Sequence, residues 1–158
     1  MARVHLIAGR ICAGKSTFAE KLRLREKAVL LSTDEITLAI FGQHIGEKHD
    51  EVVENTQKYL FEKSLELIEC GIDVILDWGF WMKAERDEAR EFYASRGIET
   101  VFYYVDIPQD EWKRRIDHRN SEIESGKTLA DFVDENLRDK FGRMFEEPMA
   151  DEALIRVR

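Results

Sequence analysis

At 158 residues the chain is long enough to bury most of the apolar surface its unfolded form would expose, and 44% hydrophobic with 35% charged residues supplies both a core and a coat, which excludes disorder. Thirty-two acidic against 24 basic residues give a formal charge of −8, which repels a polyanion unless the basic side chains gather on one face, so long nucleic acid is disfavoured as a partner. No apolar run approaches a membrane span, the N-terminus lacks a signal-peptide pattern, and two distant cysteines make neither a zinc site nor a disulfide framework, so a soluble cytoplasmic protein with reduced thiols is expected.

In chain order, the first element is VHLIA, a short apolar run that reads as a strand. AGRICAGKST follows it and opens a helical segment, STFAEKLRLRE. AVLL reads as a second strand and leads into LLSTDE, where Ser32 and Glu35 have capping-box spacing. Asp50 to Glu69 places Val53, Thr56, Leu60, Ser64 and Leu67 at helical steps, with Gly71 where a C-cap belongs. IDVIL is a third strand, ending in Asp77. Trp81 to Arg96 repeats the helical spacing with Ala89, Phe92 and Tyr93, and Gly97 closes it. VFYYV is a fourth strand; Pro108 suits the first turn of a helix through Arg119. NSEIESGKT, residues 120–128, has turn-rich composition and is expected to be a mobile loop, before a last helix from Leu129 to about Phe145 and a short fifth strand in ALIRV. Strands with continuous apolarity, separated by helices, predict a parallel α/β sheet covered on both faces, in one domain over residues 1–158.

Gly9, Gly14, Lys15 and Ser16 satisfy G-x-x-x-x-G-K-[ST] between a predicted strand and a predicted helix. Glycines let the backbone curl until successive N–H groups point inward, and the helix N-terminus adds positive potential. A nucleoside triphosphate then meets donors already aimed at its phosphates. The loop Gly9, Arg10, Ile11, Cys12, Ala13, Gly14, Lys15, Ser16 and Thr17 is therefore the expected ATP cradle. Lys15 would lie against the β- and γ-phosphates and the Ser16 hydroxyl on Mg²⁺. The alternative is a glycine-containing turn with a solvated Lys15. Cys12 reads as a small side chain under the loop, with redox regulation as the alternative.

Two acids sit where open α/β sheets hold ligands, just after predicted strands. Asp77 has the pattern of a Mg²⁺-holding carboxylate, or else caps the turn at WGFW. Asp34 reads as the general base for an acceptor hydroxyl, or else as a residue favouring the positive end of its helix. Trp112, Arg115, Ile116 and Arg119 share one helical stripe, which offers two arginines to phosphate charge, or to surface ion pairs. Arg114 points to the opposite side. Trp78, Phe80 and Trp81 either line an acceptor pocket or are core or rim packing, and Arg86 either holds substrate or is an exposed helical residue. None of His5, His44, His49 and His118 has a partner at suggestive spacing, and they are assigned no chemistry.

In that order, AGRICAGKST, LLSTDE, VILDWGFW, EWKRRIDHRN and FEEPMADE resemble the bacterial AAA-type ATP-binding proteins related to zeta toxin, chloramphenicol phosphotransferase, gluconate kinase and the polynucleotide kinase domain. The resemblance covers nearly the whole chain. It implies a P-loop kinase-type fold with sheet order 2-3-1-4-5 and a lid around residues 115–130. It also implies Lys15 and Ser16 as phosphate-loop residues, Asp34 as the acceptor-side base, Asp77 as the acid of the third strand, and Arg115 and Arg119 as lid arginines; the adjacent Arg114 is an alternative for that register. The function expected is ATP- and Mg²⁺-dependent phosphoryl transfer to a hydroxyl of a small molecule. A polynucleotide 5′-hydroxyl kinase and a nucleotide-binding switch with slow ATPase activity are the alternatives.

Overall fold

A computed structural model describes residues 1–42, 46–124 and 143–157. Five parallel strands, β1 (Val4–Ala8), β2 (Val29–Leu30), β3 (Val74–Gly79), β4 (Thr100–Val105) and β5 (Ile155–Val157), form one sheet in the order β2-β3-β1-β4-β5. This is the order that the family resemblance implies. Helices α1 (Lys15–Glu26), α2 (Thr33–Phe41), α3 (His49–Glu69), α4 (Lys83–Ala94) and α5 (Gln109–Glu124) connect the strands, with a 3₁₀ turn, Gly46–Lys48, ahead of α3.

The uninterrupted apolarity of VHLIA has a direct cause: every residue of β1 is buried, at the centre of the sheet. Alternate side chains serve two cores. Ile7 and Ile75 join Ala19, Leu22, Trp112 and Ile116 of α1 and α5. Val4, Leu6 and Ala8, with Val74 and Leu76, join Leu60, Ala89 and Tyr93 of α3 and α4. Both α3 and α4 end where Gly71 and Gly97 were expected to stop them, with backbone bonds turning back onto Ile68 and Ala94.

Three features depart from expectation. Helix α4 begins at Lys83 rather than Trp81, and α5 runs past Arg119 to Glu124. Asn120 to Glu124 are therefore helical and not loop. Their polar letters sit on an exposed helix, where a His118–Glu122 pair at 3.2 Å joins successive turns and no glycine or proline intervenes. The remainder of the expected loop, residues 125–128, and the expected helix from Leu129 to residue 142 lie outside the described residues. The third departure is in β3. Leu6 pairs with Leu76 but Ala8 pairs with Gly79, so Asp77 and Trp78 together oppose the single residue Ile7. This bulge lies where the strand ends carry the candidate chemistry.

Candidate active site

The chain leaves β1 at Ala8 and curls through Gly9 to Gly14 before α1 begins at Lys15. Gly14 is the N-cap of α1 at φ 97°, and a Cβ there would lie 2.8 Å from Arg115 Nη1. The backbone conformation requires glycine, and a side chain there would push the Arg115 guanidinium off the loop. Cys12 also takes the left-handed conformation, at φ 59°. The first turn of α1 carries no acidic residue, and Ser16 and Thr17 are exposed on it. Lys15 Nζ folds back across the loop and donates to the carbonyls of Gly9 at 3.0 Å and Arg10 at 2.8 Å.

Asp77 is delivered from the β3 bulge, half-buried. Burial raises its carboxyl to about 6; hydrogen bonding with Ser32 and the charge of Lys15 oppose this, and the charge of Asp34 adds to it. Lys15 is pushed down to about 8 by withdrawal from water, against the pull of Asp34 and Asp77 and with a small push from Arg119. The fold therefore brings Asp34, Asp77 and Arg119, from α2, β3 and α5, within electrostatic reach of Lys15 at the start of α1. Asp34 is exposed in the first turn of α2, and the cap bond there is made by Ser32, whose Oγ accepts from Glu35 N–H at 3.3 Å. Asp77 caps no helix, since α4 starts six residues later with Met82 at its N-cap.

Helix α5 grips the loop over four consecutive residues. Arg10 bonds to Gln109 and to the carbonyl of Ile107, and its guanidinium lies 4.6 Å from the centre of the Trp112 ring. Trp112 Nε1 donates to the carbonyl of Ile11. Arg119 Nη1 donates to Cys12 Sγ at 3.2 Å, and Arg115 Nη1 to the carbonyl of Ala13 at 3.0 Å. Arg115 also pairs with Glu111 through Nε at 3.1 Å, so it makes a surface ion pair and a loop contact together. Among the described residues Arg114 pairs with Glu111, its side chain 72% exposed, so Arg115 is the arginine turned to the loop. Cys12 and Cys70 are both free cysteines, Cys12 half-buried and Cys70 exposed.

A strand-loop-helix phosphate cradle at the carboxyl edge of a 2-3-1-4-5 sheet is matched by one family over nearly all of this chain: the AAA domain, over residues 4–148. The chain belongs to the AAA domain family. Among solved structures it shares its fold with kinases. A gluconokinase from Sinorhizobium meliloti superposes with a TM-score of 0.66 at 14% identity, covering 98% of this chain and 81% of that one. The APS kinase CysC of Mycobacterium tuberculosis, bound to AMPPNP and APS, gives 0.65 at 18%, covering 99% and 87%. The Pnkp1/Rnl/Hen1 RNA repair complex gives 0.72 at 19%, covering 90% of this chain and 43% of that one. Comparison with curated proteins returns no match.

Within this AAA domain the tryptophans at the end of β3 and just after it are tied to the backbone. Trp78 Nε1 donates to the carbonyl of Leu31 at 2.8 Å, and its ring stacks on Phe80 and meets the Phe61 edge. Trp81 Nε1 donates to the carbonyl of Gly9 at 3.1 Å. Arg86 is not an exposed helical residue: it is fully buried, bonded to Glu152 at 2.9 Å and to the carbonyls of Phe80 and Trp81. A buried guanidinium needs an anion, and Glu152, itself 4% exposed, supplies it. This leaves Arg86 facing the interior rather than an acceptor. The signal for its burial is present in the sequence, since 86, 89 and 93 fall on one helical stripe with Ala89 and Tyr93. His5 also has a partner: its Nε2 lies 2.9 Å from Asp73 Oδ2, with Tyr103 Oη 3.4 Å from Nδ1. That group, with Glu26, lies toward the amino ends of the strands, away from the phosphate loop.

Proposed function

We propose that the chain is a P-loop kinase that transfers the γ-phosphoryl group of ATP to a hydroxyl of a small molecule. The single observation that carries this reading is that Lys15, Arg115 and Arg119 all bond to one phosphate loop, with Asp34 and Asp77 within electrostatic reach of Lys15. Phosphoryl transfer asks little of a protein beyond positioning and charge, and these are the charges it needs. Lys15 leaves its loop carbonyls to meet the β- and γ-phosphates. Arg115 and Arg119, already on the loop, offset charge as it spreads over the transferring group. Asp34, exposed and within electrostatic reach of Lys15, accepts the proton of the acceptor hydroxyl as the new O–P bond forms and the bond from Pγ to the β-phosphate oxygen breaks, releasing ADP. Ser16 and Asp77 are hard oxygen donors and fit Mg²⁺; when bound, the ion would neutralise phosphate charge. Of the two tryptophans, Trp78, on the strand that carries Asp77, is the one this reading offers to the acceptor.

The test is label transfer from γ-labelled ATP in the presence of fractions of a cell metabolite extract and, separately, an oligonucleotide with a free 5′-hydroxyl. We expect label in a small species with the wild type and at least a hundredfold less with Asp34→Asn, which should still bind ATP. Label on the oligonucleotide alone would move the acceptor to nucleic acid. Free phosphate at equal rates in both proteins would reduce Asp34 to a helix-terminal charge and favour a nucleotide switch.

A further inference from the structure

The carbonyl oxygen of Gly9 has two donors, Lys15 Nζ at 3.0 Å and Trp81 Nε1 at 3.1 Å. The two differ in what they can do next. Lys15 is a long, flexible side chain that a bound polyphosphate draws away, whereas Trp81 is held in place. Its carbonyl accepts from Glu146 N–H at 2.7 Å and from Arg86 Nη1 at 3.3 Å, and Arg86 is fixed by Glu152. The approach is also built into the strand ends. Gly9 N–H donates to the Gly79 carbonyl at 2.9 Å, and a Cβ on Gly79 would lie 2.8 Å from Trp81 Nε1 and 3.3 Å from the Gly9 oxygen. The absence of a side chain at 79 is what lets the indole reach Gly9.

We propose that Trp81 is a positioning residue for the phosphate loop: its indole N–H keeps the Gly9 carbonyl satisfied when Lys15 departs to the phosphates, so that the loop stays curled in the nucleotide-bound state. This rests on the reading of the loop as an ATP site. It assigns Trp81 to the nucleotide side rather than to the acceptor. An orphaned carbonyl in a half-buried loop costs enough to weaken binding by on the order of tenfold.

The expected pattern separates this role from packing. Trp81→Phe keeps a ring and loses the donor. In the absence of ATP Lys15 still serves Gly9, so the melting temperature falls only by the packing loss, while the Kd for ATP by titration calorimetry rises about tenfold. In a Lys15→Met background the packing loss is the same but the carbonyl has lost both donors. Trp81→Phe should therefore lower the nucleotide-free melting temperature further there than in the wild type. Indole N–H exchange in the wild type, with resonances identified from Trp78→Phe and Trp112→Phe, provides a readout that needs no variant at position 81. Protection of the Trp81 N–H should increase with ATP. A wild type that binds no ATP overturns the nucleotide reading and this inference with it. A wild type that binds ATP no better than Trp81→Phe, or whose Trp81 N–H loses protection when ATP binds, overturns this inference alone.

Discussion

Arg119 Nη1 donates to the sulfur of Cys12 across 3.2 Å, joining residues 107 apart in sequence at the crest of the phosphate loop. Arg115 reaches the next residue of the loop, Ala13, from one turn earlier. Both guanidiniums are thereby held on the loop where, in the proposed reaction, phosphate charge would develop, while Arg114 is turned to Glu111 and solvent. Arg119→Ala should lower kcat by about 10²-fold, the scale of losing one charge donor in a transition state. Arg114→Ala should leave it within about twofold, since exposed pairs contribute little. Steady-state kinetics on the identified acceptor checks both, and equal effects would refute the assignment of the arginines.

The two shifted groups bracket the working pH. Asp77 carries charge only above about 6 and Lys15 only below about 8. The profile of kcat/KM for ATP, which reports the free enzyme, should therefore rise through about 6 and fall through about 8. A profile flat from pH 5 to 9, on the order of this whole window, would remove both groups from the nucleotide step.

Asp77 also costs stability. Its folded-state value of about 6 lies above the ordinary 3.8, so between those values the folded chain holds a proton that the unfolded chain has shed. Stability contributed by this group falls as pH rises through that window and stays low above it. Asp77→Asn should melt higher than the wild type at pH 7 and lose that advantage below the ordinary carboxyl range, while losing activity. Differential scanning calorimetry at both ends tests the sign.

Arg86 and Glu152 form a buried pair in which each charge depends on the other. Glu152→Ala leaves a guanidinium in the core and should cost about 3–5 kcal/mol in urea unfolding. Disruption of the exposed Lys63–Glu66 pair by Lys63→Ala should leave the midpoint in place. Equal shifts would mean that Arg86 is not held as the structure has it.

Gly79→Ala probes the strand end from a different side. The residue sits at φ 86°, a conformation that side chains rarely adopt, and its new methyl would strike Trp81. A loss of about 1–3 kcal/mol in thermal unfolding is expected. A neutral substitution would contradict the tight packing of Gly9, Gly79 and Trp81.

Much of this was legible in the sequence because it rests on local rules. The spacing of Gly9, Gly14 and Lys15 announces a curled loop ahead of a helix, and the unbroken apolarity of VHLIA announces a strand covered on both faces. The stripe of Trp112, Arg115, Ile116 and Arg119 placed both arginines on the side that meets the loop. What escaped depends on distant partners. Arg86 is buried because Glu152 lies 66 positions on, and His5 is paired because a parallel neighbour brings Asp73 beside it. The stripe of 86, 89 and 93 marks the buried face of α4, but local letters carry no record of either partner. The β3 bulge escaped for a related reason. Alternation along DWG is the same with or without an extra residue, and only the register against β1 reveals it.

The grip of α5 on residues 10–13 gives the molecule a natural optical reporter. Trp112 is 1% exposed, stacked under Arg10 and bonded to Ile11, so its emission is set by the same backbone that would hold phosphate. Any event that loosens the loop admits water to that indole and reddens its fluorescence, without a label and without turnover. With Trp78 replaced by phenylalanine and Trp81 left in place to hold Gly9, a change in emission that Trp112→Phe abolishes would follow opening and closing of the cradle in real time, even for a ligand that is never phosphorylated.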